Sequence, residues 1–76
     1  MMTDKKWQEY PQPPRYVFYD YDAQWMASIM YDAERNSWRW KVFDPDHQMR
    51  SEGTATTPEE AKLSAEKYIA SNLQDE

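Results

Sequence analysis

Three runs of large, β-forming side chains end in the same two-residue signature, an aromatic residue followed by aspartate. Residues 15–21 close on Tyr21-Asp22, residues 25–31 on Tyr31-Asp32 and residues 38–43 on Phe43-Asp44; a fourth pair, Tyr19-Asp20, lies inside the first run. Aromatic and β-branched residues suit a pleated, half-buried surface, whereas aspartate bonds its own backbone and favours turns. Each run is therefore expected to be a strand, and each aspartate to stop one. Within the runs the side chains alternate. Trp38, Trp40 and Val42 oppose Arg39, Lys41 and Phe43; Trp25, Ala27, Ile29 and Tyr31 oppose Met26, Ser28 and Met30; Tyr16 and Phe18 oppose Val17, Tyr19 and Tyr21. Period two is the strand signal.

The connections are short. Residues 32–37 contain Asn36, which tolerates the left-handed conformation that a bulged hairpin loop needs. Asp44-Pro45-Asp46-His47 reads as a type I turn, with Asp at its first position and Pro at its second. A short fourth strand over residues 48–54 is expected to fold back on the third and to end or bulge at Gly53. Thr57-Pro58-Glu59-Glu60 then combines an N-cap, a proline at the first helical position and a capping-box glutamate. Ala61, Ala65, Tyr68, Ile69 and Leu73 recur at helical spacing, with Leu63 and Ala70 on the opposite side. The helix is expected to end near Asn72, before an acidic terminus.

These pieces predict an α+β fold: an antiparallel β-meander of three to four strands with one C-terminal helix packed on one face. The face bearing Trp25, Ala27, Ile29, Trp38, Trp40 and Val42 is expected to take the helix. Residues 15–76 form the single domain. Residues 1–14 read as an N-terminal arm, aromatic at Trp7 and Tyr10 and extended through Pro11-Gln12-Pro13-Pro14. One helix cannot cover both faces of a sheet. The second face, with Met26, Met30 and Phe43 around Arg39 and Lys41, is left for the arm, for solvent or for a partner.

Size and composition narrow the function classes. A chain of 76 residues buries only about 60% of its unfolded surface, so four Trp, six Tyr and two Phe must supply the core. Without cysteine there is neither a disulfide framework nor a thiolate zinc site, and a reducing cytoplasm is the expected compartment. No run approaches the roughly 20 apolar residues of a membrane span, and residues 1–10 lack an apolar signal core. A net charge of −5 disfavours a phosphate backbone.

Chemistry-bearing patterns are sparse. The single His47 falls in a turn, Gly53 stands alone rather than in a phosphate-cradling loop, and no glycine-rich elbow surrounds a nucleophile. No catalytic residue, metal or cofactor is expected. In a meander, Asp20 and Asp22 share one edge with Asp44 and Asp46, while Asp32 and Glu34 lie at the other. The expected function is a small, acidic, non-enzymatic protein-binding module. Asp20, Asp22, Asp44 and Asp46 would steer towards a basic partner, and Met26, Met30, Phe43, Tyr19 and Tyr21 would anchor it. The alternatives are a nucleic-acid-binding sheet that uses aromatics with Arg15, Arg39, Lys41 and Arg50, and a homodimeric structural protein. In size, acidity and aromatic density the chain is similar in general character to small accessory or inhibitor proteins of bacteria and their phages.

Overall fold

The computed structural model describes residues 7–73. Five strands and one helix follow in chain order: β1 (Gln8–Pro11), β2 (Pro14–Asp20), β3 (Trp25–Asp32), β4 (Ser37–Phe43), β5 (Met49–Ala55) and α1 (Pro58–Leu73). The strands pair antiparallel in sequence order, a five-stranded meander. The fold class is the expected α+β, but the strand count of three to four is corrected to five.

The extra strand comes from the segment read as an arm. Pro11 pairs with Pro14 across a two-residue turn, Gln12-Pro13, whose peptide bond is cis. The proline cluster therefore reverses the chain instead of extending it. A strand that carries proline belongs at a sheet edge, where an absent N–H leaves no central ladder incomplete. The arm also does not cross the second sheet face: Tyr10 borders that face at the β1 edge, and Trp7 goes to the other side. The Trp7 ring stacks on Phe18 at 5.3 Å on the helix side, and its indole N–H donates to Glu66 of α1 at 2.7 Å. Residues 1–6 of that arm lie outside the described residues.

Sparse glycine shapes the turns. Three connections need a left-handed residue, and Gln24, Asn36 and His47 take those positions with φ of 66°, 52° and 67°. Asn36 is the residue expected there. In the β4–β5 turn the His47 amide donates to the Asp44 carbonyl at 2.8 Å, the bond that closes a type I turn. Gly53 neither ends nor bulges its strand: it sits inside β5, paired with Trp40. The bulge falls where Val42 pairs with Ser51 and Phe43 with Met49, so Arg50 is the extra residue.

The helix forms where the capping residues place it. Thr57 Oγ1 accepts from the Glu60 amide at 3.2 Å, and the Glu60 carboxylate reaches back to the hydroxyl and amide of Thr56. This is a capping box whose return leg lands one residue early. Ala61, Ala65 and Ile69, four residues apart, are the buried stripe. The side chain of Leu73 and the terminus after it lie outside the described residues. Two alanines let α1 approach the sheet closely over Trp25, Ala27, Ile29 and Val42, all buried, with Phe18 beside them. Lys62 sits over the Tyr16 ring and Tyr68 packs edge-on to Trp25. α1 therefore runs from the β3–β4 hairpin towards the end of the sheet that holds the other two aspartate turns. It covers one face only.

Candidate functional site

The uncovered face follows from strand register. Arg15 pairs with Met30, Met30 with Arg39 and Arg39 with Thr54, which makes one row across the sheet. The next row is Val17, Ser28, Lys41 and Glu52; the third is Tyr19, Met26, Phe43 and Met49. Cations thus collect towards the β3–β4 hairpin and apolar side chains towards the opposite end. Met30 is 48% exposed, Met49 47% and Tyr19 38%, large values for such side chains in a small domain. Tyr10 joins this face at the β1 edge, its ring 4.8 Å from the Arg15 guanidinium carbon. Between Met30, Phe43, Ser28, Arg39 and Lys41 lies an open groove of about 580 Å³, bounded by the β3–β4 hairpin.

The sequence-chosen anchors do gather. Tyr19, Met26 and Phe43 form one row, with Met30 four residues along β3 on the same face. Tyr21, 84% exposed, packs edge-on to Tyr19 with ring centroids 4.7 Å apart. Sequence reasoning left Met49 out of this set. Its fourth-strand placement was the signal, but the bulge at Arg50 is what brings Met49 opposite Phe43.

The aspartates divide in two. Asp20 Oδ1 accepts from the amides of Asp22 and Ala23, at 3.0 and 3.2 Å, and Asp32 Oδ1 from those of Glu34 and Arg35. Asp44 Oδ1 accepts from Asp46 and Gln48, both at 2.9 Å, and its Oδ2 meets Arg50 at 3.1 Å. In three of the four aromatic-aspartate pairs, the aspartate closes its own turn with its side chain. Asp22 and Asp46 are the outward carboxylates of the expected acidic rim.

Asp44 is buried, and its environment still favours the charge. The Gln48 amide, followed by Arg50 and the Asp46 amide, outweighs desolvation and holds its carboxyl below the ordinary carboxylate value. A folded pKa depressed in this way contributes stability that is fully present above the unfolded pKa. That contribution is lost as pH falls through the folded value. Thermal melts between neutrality and strong acid should accordingly show an acid-labile component that Asp44→Asn removes. An unchanged pH profile in that variant would assign the acid sensitivity elsewhere.

Among the described residues, no group of three or more His, Asp or Glu side chains is arranged to hold a metal ion. No helix there is long and apolar enough to cross a membrane. Comparison with protein-family models, curated proteins and solved structures finds no match to this chain.

Proposed function

We propose that this chain is a non-enzymatic protein-binding module whose contact surface is the uncovered sheet face. The observation that carries the reading is the distribution of large side chains. Met30, Met49, Tyr19 and Tyr10 stand exposed together on one face, while the helix packs on the other over β3, β4 and β5. Aromatic residues, methionine and arginine are the types enriched at the centres of protein interfaces. Exposed methionine and tyrosine side chains grouped on one face of a small chain favour an occupant. An accessory or inhibitor role is compatible with such a module, because it needs one recognition face and no pocket chemistry.

The basic partner expected from the acidic rim has less support. Asp20 and Asp44 already direct their oxygens to backbone amides, so Asp22 and Asp46 alone are turned outward for steering. The test is affinity capture from the source cell with the tagged protein, wild type against Met30→Glu/Met49→Glu. Both positions are about half exposed, so the variant should fold normally, as circular dichroism would show. Captured protein should be lost from this variant and retained by Leu63→Glu, which alters the outer face of α1. The converse pattern would move the contact surface to the helix. A doubled mass in light scattering, abolished by Met30→Glu/Met49→Glu, would assign the face to a second copy of the chain.

A further inference from the structure

We infer that the uncovered face takes a short, extended acidic segment of another protein, with carboxylates on Arg39, Lys41 and Arg15 and an apolar side chain in the groove beside Met30 and Phe43. This rests on the reading of that face as a binding surface and adds the chemistry of its occupant. The protein is acidic as a whole, yet the face left open by the helix is locally basic. Its charged strand side chains are Arg15, Arg39 and Lys41 against Glu52 and, at the hairpin end, Asp32, three cations to two carboxylates. Neither carboxylate is an independent charge: Glu52 lies 3.4 Å from Arg39, and Asp32 3.7 Å from Arg35. Both members of the Arg39–Glu52 pair are nearly half exposed, and such surface pairs contribute little, so an incoming carboxylate readily exchanges for Glu52. Among the described residues, no ion pair holds Lys41.

Geometry restricts the segment further. Arg39 and Lys41 are two residues apart on one strand, which puts their side chains on the same face with a separation of roughly 7 Å along it. An extended peptide presents alternate side chains at the same spacing, so acids at alternate positions match the two cations. Arg15 lies two strands from Arg39, roughly 10 Å across the sheet, with Met30 between them. The apolar anchor then falls towards Met30 and Phe43. At the hairpin end, Asp32 bonds its own turn and lies 3.7 Å from Arg35, and with Glu34 it bounds the groove.

A nucleic-acid strand carries the same sign of charge but does not fit these limits. Carboxylates stand at both ends of the face, Asp22 and Asp46 at one and Glu34 at the other, and a seven- or eight-residue strand separates the two rims by about 25 Å. A long polyanion running along the strands would cross a rim. A segment of a few residues ends before reaching one.

The test uses the full chain and three fluorescein-labelled probes: a short peptide with aspartates at alternate positions beside one phenylalanine, its asparagine counterpart, and oligothymidylate of similar extended length. Anisotropy should show the aspartate peptide binding about tenfold more tightly than the asparagine one, the difference shrinking as salt rises. Arg15→Glu/Lys41→Glu should abolish that preference while circular dichroism stays unchanged. Tighter binding of oligothymidylate than of the aspartate peptide would overturn the inference in favour of a phosphate-reading face. Equal binding of the two peptides, or binding of neither, would overturn it outright. Cellular capture separates the two levels of the argument. Partner loss with Met30→Glu/Met49→Glu but not with Arg15→Glu/Lys41→Glu refutes the acidic occupant and keeps the binding face. Retention by both variants refutes the face itself.

Discussion

Ile29→Ala should lower the unfolding free energy by about 3–4 kcal/mol, within the range for aliphatic truncation in a packed core. Ile29 and Val42 are the largest side chains with no solvent exposure, and Ile29 is the larger of the two. It sits on β3, the central strand of five, with Tyr16 and Trp40 as its cross-strand neighbours. Collapse into the vacated space is difficult there. Large rings stand on either side, and a helix already held close by Ala61 and Ala65 lies above. At ~0.05–0.15 kcal/mol per residue, a chain of this length has roughly 4–11 kcal/mol in total, so the loss is a large share of it. The melting temperature should fall by roughly 12–32 °C at ~4–8 °C per kcal/mol. Urea unfolding should show a lower midpoint at unchanged slope, and Ile29→Val should cost only about 1 kcal/mol. A loss below ~1 kcal/mol for the alanine variant would mean that this part of the core repacks or is looser than its burial indicates.

The part of the fold legible in the sequence is the part written in local periodicity. Trp38 to Phe43 alternate because one face meets the helix and the other does not, and Thr57-Pro58-Glu59-Glu60 carries its cap in the sequence itself. Asn36 was readable for the same reason, since its preference for the left-handed region is intrinsic. What escaped depends on distant partners. Gln8–Pro11 has no alternating pattern because all four residues are exposed. It becomes a strand because Trp7, one residue before it, finds Phe18 and Glu66, the latter 59 positions away. Gln24 and His47 take left-handed positions that their residue types do not announce.

The site was legible in its members and not in its sign. Tyr19, Met26, Met30 and Phe43 follow from alternation alone, so their meeting on one face was predictable. The acidic rim was predicted from connectivity, and its aspartates are where that reasoning put them. Their hydrogen bonds were not visible: Asp20, Asp32 and Asp44 each bond amides two to four residues ahead. Those bonds turn their oxygens towards the backbone while leaving their charge in place. Net charge describes the whole chain, whereas the proposed contact surface is the one face that the helix leaves open, and there the balance reverses.

Gly53→Val should destabilise the protein by about 2–3 kcal/mol, although valine is the better strand former. The only glycine of the chain lies mid-strand, without a positive φ, so backbone freedom does not account for it. Its cross-strand partner does. A Cβ added at Gly53 would meet Trp40 Cζ2 at 2.8 Å and Cε2 and Nε1 at 2.9 Å, closer than real side chains approach. The indole lies against the backbone that glycine leaves bare, a known way of stabilising strand glycines. Trp40 is not free to move away, because it packs against the core cluster of Phe18, Trp25, Ala27, Val42, Ala65 and Ile69. Intrinsic strand preference spans only ~1 kcal/mol, so the steric term outweighs it. A double-mutant cycle isolates the cause. With Trp40→Leu in place the ring is gone, and Gly53→Val should become neutral or stabilise by up to about 1 kcal/mol. Coupling of about 2 kcal/mol or more between the two positions would establish that Trp40 is what requires glycine at position 53. If Gly53→Val costs the same in both backgrounds, the requirement lies in the β5 backbone and the indole contact is incidental.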